Sequence, residues 1–482
     1  MQLSELLTNI AAIKVDVEFS DITLDSRNIK QGDVFFAVAG NQQHGMQYAD
    51  AVIAQGAAAI IYDPAESGSA LANQLQFEPL IAVDALNEKL GELASRFYGL
   101  PTKDLNVIGI TGTNGKTSCS QFLAQMLNST AVIGTLGWGV YGHLQATKNT
   151  TPDAFVLQKV LASFVKQGIQ NVAMEISSHG LQQGRVNAVN FTTAVFNNLS
   201  RDHLDYHGSM QAYFQAKCRL FKWPSLKHAV LNADDEYARQ IELELDNSVQ
   251  VLRYSLLQGT DKDLLAQNIK YTANGIRCEL LWNKQQAELN VALLGEFNLQ
   301  NILAAIAVLL VQGHSLEGSV IAANKVRPII GRMECFKARN NALIVVDYAH
   351  TPDALFKVLS TLRQHCQRQL SVVFGCGGNR DIGKRSLMGQ VAEQLADQVI
   401  VTDDNPRYEE SQIIIDAIVS GLEAKKITCI ADREIAIQST IAAAKAGDIV
   451  LIAGKGHEEY QEINGIKTVF SDRTLVKELI EQ

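Results

Sequence analysis

Along the chain, short unbroken apolar runs alternate with longer segments in which apolar residues recur at helical spacing, the pattern of strands and helices in an α/β protein. In residues 1–101 the runs "DVFFAVAG" and "AAAIIYD" predict strands, with turns at "QGD" and "GNQQHG". "LNEKLGELASRFYG" places Leu86, Leu90, Leu93, Ala94 and Phe97 on one helical stripe before "LPT" breaks it, which sets a first boundary. From 102 to 330, "NVIGI", "TAVIGT", "NVAMEI", "TTAVFNN" and "HAVLN" predict strands of crossover units around a mostly parallel sheet. A second boundary is expected near "VRPIIGRME", after the helix that begins at "NLQNILAAIAVLL". Residues 331–482 repeat the alternation with "ALIVVD", "LSVVFG", "DQVIVTDD", "KITCIA" and "DIVLIAG". The expectation is three α/β domains, the central one with a P-loop ATPase-like parallel sheet and the C-terminal one with a Rossmann-like sheet.

Composition narrows this picture only a little. The 482 residues exceed the ~250–300 at which single cores usually split. A formal charge of -9, from 42 basic and 51 acidic residues, argues against nucleic acid as the main partner. The seven cysteines include no C-x-x-C pair, which suits free thiols in a reducing compartment and speaks against a zinc site. The start "MQLSELLTNIAAIKVDVEF" has no cationic n-region or unbroken apolar core, so export is not expected. The longest apolar stretch, "ILAAIAVLLV", is about half the ~20 residues that cross a bilayer. A cytoplasmic protein without membrane insertion is the expectation.

The chemistry begins at "VIGITGTNGKTSCSQFL". A strand runs into Gly112, Thr113, Asn114, Gly115, Lys116, Thr117 and Ser118, and Cys119, Phe122, Leu123, Met126 and Leu127 then form a helical stripe. Backbone N–H groups at such a strand–loop–helix junction can wrap a polyphosphate, with Lys116 on its terminal phosphates and the Thr117 hydroxyl on Mg²⁺. The glycines at 109, 112 and 115 depart from the commonest P-loop, which would want glycine at 110. A tight strand-to-helix turn is the plainer reading. A GTP switch would want Asn-Lys-x-Asp, but Asn324-Lys325 is followed by Val and Arg.

The motifs "GITGTNGKTS", "NTTPD", "MEISSHGL", "NLSRDHLDYHG", "YFQAKCRLF", "GEFNLQN", "GRME", "VVDYAHTPD", "GCGGNRDIGKR", "TDDNPR" and "AGKGHE" occur in the order found in Mur ligases, and the chain resembles that family through all three segments. The resemblance implies an ATP-dependent amide ligase of peptidoglycan precursor synthesis. In it the γ-carboxylate of D-Glu in UDP-N-acetylmuramoyl-L-Ala-D-Glu attacks the γ-phosphate of ATP, and an amine displaces phosphate from the acyl phosphate. Small-molecule substrates, no nucleic acid partner and a monomer are expected. Lys116, His203 and Lys217 are the implied catalytic residues, and Thr117, Glu175, His203 and Lys217 the implied Mg²⁺ set. Glu175 also follows a buried strand, a costly place for a carboxylate that is neither paired nor bound to metal. Taken alone, His203 reads as an exposed loop histidine and Lys217 as a helix-surface lysine; the resemblance implies a CO₂-derived carbamate on Lys217.

For the nucleotide, Asn298 and Asn301 share a helix face where amides can read an adenine edge, or they cap that helix. Arg332, Asp347 and His350 resemble residues that close over ATP. Leu24, Ser26, Asn41, Gln42 and Gln43 match the family's uridine region, although a surface turn would look the same. Asn149, Thr150, Thr151, Ser177, Gln183 and Arg185 resemble residues that hold the muramoyl-dipeptide. In "DDNPRYEE", Asp404, Asn405, Pro406 and Arg407 follow a strand, and the family uses this position to sort its amino acids. Arg407 implies meso-diaminopimelate, whose distal carboxylate a guanidinium fork can bind. The plainer reading pairs Arg407 with Glu409 or Glu410. Arg380, Gly454 and Glu458 would hold the near end, Glu458 meeting an ammonium. The competing readings are the lysine-adding homologue, a folate polyglutamate ligase and a P-loop NTPase switch.

Overall fold

The computed structural model describes residues 1–40, 43–272, 275–420, 422 and 427–481. It divides into two compact units. The first comprises Met1–Gly109, Ser129–Thr192 and Trp223–Leu226, and the second Ile110–Asn128, Thr193–Lys222 and Lys227–Gln482. The chain passes between them inside the strand Asn106–Thr111.

In the first unit, the strands Ile22–Thr23, Val34–Ala37, Ala59–Tyr62 and Leu80–Ala82 pair in that order, all parallel. Both faces of this sheet are covered, as an all-parallel sheet requires. Phe36 and Ile61 pack with Leu86 and Phe155 on one side, and Phe35 and Ile60 with Met46 and Val52 on the other. The helix Leu86–Phe97 follows the expected stripe, and Asp63 receives its first amide, that of Leu86, at 3.0 Å. The same unit contains the strands Thr130–Gly134 and Asn171–Glu175, parallel to each other, and an antiparallel extension from Thr130–Gly134 through Gly137–Val140 and His143–Gln145.

In the second unit, Phe191–Phe196, His228–Asn232, Gln250–Ser255 and Leu264–Thr272 run parallel from neighbour to neighbour. Gly275–Trp282 and Gln285–Val291 then continue antiparallel. This extension departs from the mostly parallel sheet expected. Its second pair has a local cause: Asn283 and Lys284 both take positive φ, 48° and 64°, between paired Trp282 and Gln285, which makes a two-residue hairpin turn.

The C-terminal sheet orders its strands Glu334–Lys337, Leu343–Asp347, Ile449–Ala453, Leu370–Phe374, Gln398–Val401 and Ile427–Cys429. Only its edge strand Glu334–Lys337 is antiparallel. Alternate residues of each inner strand face opposite cores: Val345, Leu451 and Val372 on one side, Ile344, Val450 and Val373 on the other. The loops at the carboxyl ends of these strands carry "DYAH", "GCGGNRD", "DDNPR" and "GKGHE". All seven cysteines are free thiols, and no helix among the described residues is long and apolar enough to cross a membrane.

Candidate active site

The phosphate-type loop opens the helix Lys116–Met126. Gly115, at φ +85°, is its N-cap, and a Cβ there would come within 2.2 Å of the Asn301 amide oxygen, so the loop requires glycine at this point. Asn198 pins the loop, accepting from the Asn114 amide at 2.8 Å and donating to its carbonyl at 3.2 Å. Thr113 bonds the Tyr213 hydroxyl at 3.2 Å. Lys116 folds back on its own loop, its Nζ donating to the carbonyls of Gly112 and Thr113 at 2.6 and 2.8 Å.

Lys217 reaches the same place from another element. Ser209 caps the helix Met210–Cys218 by accepting from Ala212, and the helix buries Tyr213, Phe214, Ala216 and Lys217. Lys217 is 1% exposed rather than a surface lysine, and its Nζ donates to Gly112 O at 2.9 Å and lies 4.5 Å above the Tyr213 ring. Burial, and then the charge of Lys116, push its pKa well below the usual lysine value. Two lysines thus converge on one carbonyl oxygen, and burial disfavours the charged form of Lys217.

His203 sits at φ +55°, half-exposed, with its Nε2 3.4 Å from Asp202 Oδ2. His350 approaches the same carboxylate at 3.9 Å and anchors its Nδ1 on Tyr348 O at 2.9 Å. Burial and the nearby Lys384 lower the His350 pKa to about 4. Burial alone would raise Asp202, but His203, His350 and Lys384 outweigh it and hold its carboxyl at about 2.

The two asparagines expected to act together part company. Neither caps the helix Glu296–Val311, whose N-cap is Gly295. Asn298 donates to Leu294 O at 2.9 Å and lines a cavity of about 310 Å³ with Phe122, Leu294, Pro328, Ile329 and Arg332. Asn301 packs instead beneath Gly115. Arg332 lies 3.4 Å from the Thr117 hydroxyl and stacks 4.2 Å above the Tyr348 ring. Both oxygens of Asp347 accept backbone amides, those of Met333 and Ala349 at 2.7 Å, so its carboxylate organises the loop that carries Arg332.

In the first unit, Glu175 is wholly buried and accepts from the Thr135 amide and hydroxyl, both at 3.0 Å. Its Oε1 lies where a side chain on Gly134 would be, so only glycine fits there. Thr150 bonds Thr135 at 3.0 Å, and Thr151 bonds both Glu175 O and Ser177 Oγ at 3.0 Å. Arg185 donates to Thr151 O at 2.8 Å and to Gln183 at 2.9 Å. Of the residues assigned to the muramoyl-dipeptide, Thr150, Thr151, Ser177, Gln183 and Arg185 therefore form one network around Glu175. Ser26 begins a short turn capped by Asp25, whose carboxyl is lowered to about 2 by Arg27 and, more weakly, by Lys148 beside the exposed Asn149. Leu24 packs on the sheet below, and Gln43 accepts from the Tyr48 hydroxyl at 2.9 Å. Asn41 and Gln42 lie outside the described residues. Among the described residues no three His, Cys, Asp or Glu side chains form a metal cage.

At the amino-acid end, Arg380 and Arg407 both border Gly377, and the Asp404 carboxylate lies against Gly454. Gly378 N donates to Asn405 O at 2.9 Å, and Glu409 N to Pro406 O at 3.1 Å, which fixes the Asn405–Pro406 turn. Arg407, at φ +54°, does not pair with Glu409 or Glu410. Its Nη1 donates to Gly378 O at 2.8 Å and its Nε lies 3.6 Å from Glu462, while Glu409 is engaged by Arg385 at 2.9 Å. Glu458 already meets an ammonium, that of buried Lys455, at 3.1 Å, and accepts from Asn405 at 3.0 Å. Sequence reasoning missed Asn198, Lys455 and Glu462. The last two sit in or just after "GKGHE", but nothing in that run points back to Asn405 and Arg407.

A strand, a glycine loop and a lysine-headed helix, followed by a second α/β sheet with polar loops at the carboxyl ends of its strands, fit a nucleotide-dependent enzyme. Comparison makes the class specific. Residues 18–98 match the family model described as "Mur ligase family, catalytic domain", 110–309 the Mur ligase middle domain, and 331–456 the Mur ligase glutamate ligase domain. A Pseudomonas aeruginosa protein named UDP-N-acetylmuramoyl-L-alanyl-D-glutamate--2,6-diaminopimelate ligase is 47% identical over 464 residues, covering 95% of this chain and 94% of its own. One of the same name from Chromobacterium violaceum is 46% identical over 466 residues, with the same coverage. A solved structure of that name is 38% identical with a TM-score of 0.70, covering 100% of this chain and 99% of its own. Folylpolyglutamate synthase of Mycobacterium tuberculosis, at 18% identity and a TM-score of 0.64, shares the fold over 76% of this chain and 92% of its own. The chain belongs to the Mur ligase family.

Proposed function

We propose that the chain is an ATP-dependent amide ligase that joins meso-diaminopimelate to the D-Glu γ-carboxylate of UDP-N-acetylmuramoyl-L-Ala-D-Glu, in the cytoplasm, for peptidoglycan synthesis. Its near-full-length relatives carry this name. The observation that supports the chemistry is the convergence of Lys116 and the buried Lys217 on Gly112 O.

The loop 112–118 holds the ATP phosphates through backbone amides and Lys116, which exchanges its two carbonyl partners for phosphate oxygens. The mostly apolar cavity at Asn298 and Arg332 suits an adenine ring, with the Asn298 amide reading its edge. The hydroxyl and carboxylate oxygens among the implied metal donors are hard ligands that suit Mg²⁺, whereas the His203 imidazole is a nitrogen donor. Within the second unit, Thr117, His203 and a carbamate on Lys217 would hold the ion. Lys217 fits that modification: CO₂ adds to a neutral amine with loss of one proton, and the resulting anion turns repulsion from Lys116 into attraction. When bound, Mg²⁺ neutralises charge so that carboxylate and phosphate can approach. Lys116 stabilises the charge that develops during transfer of the γ-phosphoryl group to the D-Glu carboxylate. The amine of the incoming amino acid then attacks the acyl carbon and phosphate leaves.

Leu24, Ser26, Asn41, Gln42 and Gln43 take the uridine end, and Asn149, Thr150, Thr151, Ser177, Gln183 and Arg185 the muramoyl-dipeptide. Arg380, Asp404, Asn405, Arg407, Gly454 and Glu458 take the amino acid, with Arg407 on its distal carboxylate. Phosphate release that requires ATP, the UDP-linked dipeptide and the diamino acid together tests this reading; release from ATP alone would mark an NTPase instead.

A further inference from the structure

Arg332 lines the cavity proposed for adenine, yet it forms no ion pair among the described residues. The carboxylates of its own loops are engaged. Asp347 gives its two oxygens to the amides of Met333 and Ala349, and Glu334 accepts from Arg473 Nη2 at 3.0 Å and from the Gly331 amide at 2.8 Å. What the guanidinium meets is the face of the Tyr348 ring, 4.2 Å from its centroid, and the Thr117 hydroxyl at 3.4 Å.

The place of that ring is built by three loops. Asp347 ties the turn at Met333, φ +47°, to the strand end that carries Tyr348, which brings Arg332 and Tyr348 into register. The His350 ring stands edge-on to Tyr348 at 4.6 Å, and the His457 ring tilts against it at 5.2 Å. A Cβ on Gly456 would come within 2.7 Å of Tyr348 Cβ and 2.6 Å of Gly331 O, so this glycine, at φ +51°, lets its loop close against both residues. The Tyr348 hydroxyl makes no hydrogen bond among the described residues, and its ring alone enters these contacts.

We propose that Tyr348 is a positioning residue for ATP, whose ring face holds the Arg332 guanidinium against the first turn of the helix Lys116–Met126 without neutralising it. The inference rests on the reading of Arg332 as a nucleotide contact. A carboxylate in that place would cancel the charge and repel a triphosphate, whereas a ring quadrupole attracts a cation and leaves its charge to the ligand. The ring also restricts a long side chain that would otherwise lose its rotamer freedom on binding.

The test is steady-state phosphate release by the full chain at varied ATP or varied meso-diaminopimelate, the other substrates saturating, for Tyr348→Phe, Tyr348→Leu, Arg332→Ala and the double variant Arg332→Ala with Tyr348→Leu. Tyr348→Leu is expected to raise KM for ATP about 5-fold with kcat within about twofold, the scale of one partly desolvated cation–ring contact. Tyr348→Phe should stay within about twofold of wild type, and KM for meso-diaminopimelate should not move. In the Arg332→Ala background Tyr348→Leu should change KM for ATP no further, because the ring then has no cation to hold. If the leucine variant melts below wild type, mono-, di- and trifluorinated phenylalanine at position 348 take its place. They drain negative charge from the ring face at little change of size, and KM for ATP should climb with each fluorine. No rise with leucine in a folded variant, an equal rise in the Arg332→Ala background, a matching rise for meso-diaminopimelate, a phenylalanine variant as impaired as the leucine one, or no dependence on fluorination overturns the inference. Arg332→Ala with the wild-type KM for ATP sinks the nucleotide reading of Arg332 itself, and the inference with it.

Discussion

The phosphate loop and the amino-acid end of the second unit treat positive charge in opposite ways. At the loop, the Lys116 ammonium is held by the backbone carbonyls of Gly112 and Thr113. At the other end cations stand beside carboxylates: Arg407 with Glu462, Lys455 with Glu458, Arg385 with Glu409, and the fully buried Arg433 with Asp472 at 2.7 Å. Carbonyl dipoles hold a lysine without cancelling its charge, so an incoming polyanion can displace them and gain the full Coulomb attraction. Paired ions present no net charge and suit a zwitterion. The contrast matches what each end is proposed to bind, a triphosphate and a diamino acid.

Removing charge at the loop breaks the comparison most severely. Lys116→Ala should lower kcat by about 10³-fold or more, with the melting temperature little changed, because the lost cation acts where phosphoryl transfer develops charge. Undiminished ligation by that variant would refute the loop assignment. Lys217→Ala should be nearly inactive and partly rescued by small carboxylic acids, since an added carboxylate can occupy the place of the carbamate. Failure of every carboxylic acid to rescue, with the variant folded, would argue against a carbamate. A smaller effect is expected at the paired end: Arg407→Ala should cost about 10²-fold in kcat/KM for meso-diaminopimelate and leave L-lysine nearly unaffected, collapsing the discrimination between them.

Much of this was legible in the residues. The loop could be read because its parts are contiguous: strand, glycines, lysine and helical stripe occupy one short segment, and local sequence fixes local geometry there. The burial of Lys217 was harder, although Tyr213 four residues earlier placed it on an aromatic face of its helix. Arg407 was legible as a residue and not as a pair. Proximity in sequence favoured Glu409 and Glu410, but the turn at Asn405–Pro406 and the positive φ of Arg407 direct its side chain toward a hairpin that arrives only at Tyr460–Val469. Likewise Asp347 reads as a ligand from its motif, yet the backbone takes both its oxygens. Long-range polar partners are set by how loops converge, and no periodicity reports that.

The account stands most directly on phosphate release by the wild-type chain with ATP and UDP-N-acetylmuramoyl-L-Ala-D-Glu, measured across amino acids with the product identified by its mass. It predicts release only when an amino acid is present, strong preference for meso-diaminopimelate, and a product heavier by one diaminopimelyl residue. Equal use of L-lysine, or release that does not depend on the UDP-linked dipeptide, would contradict it.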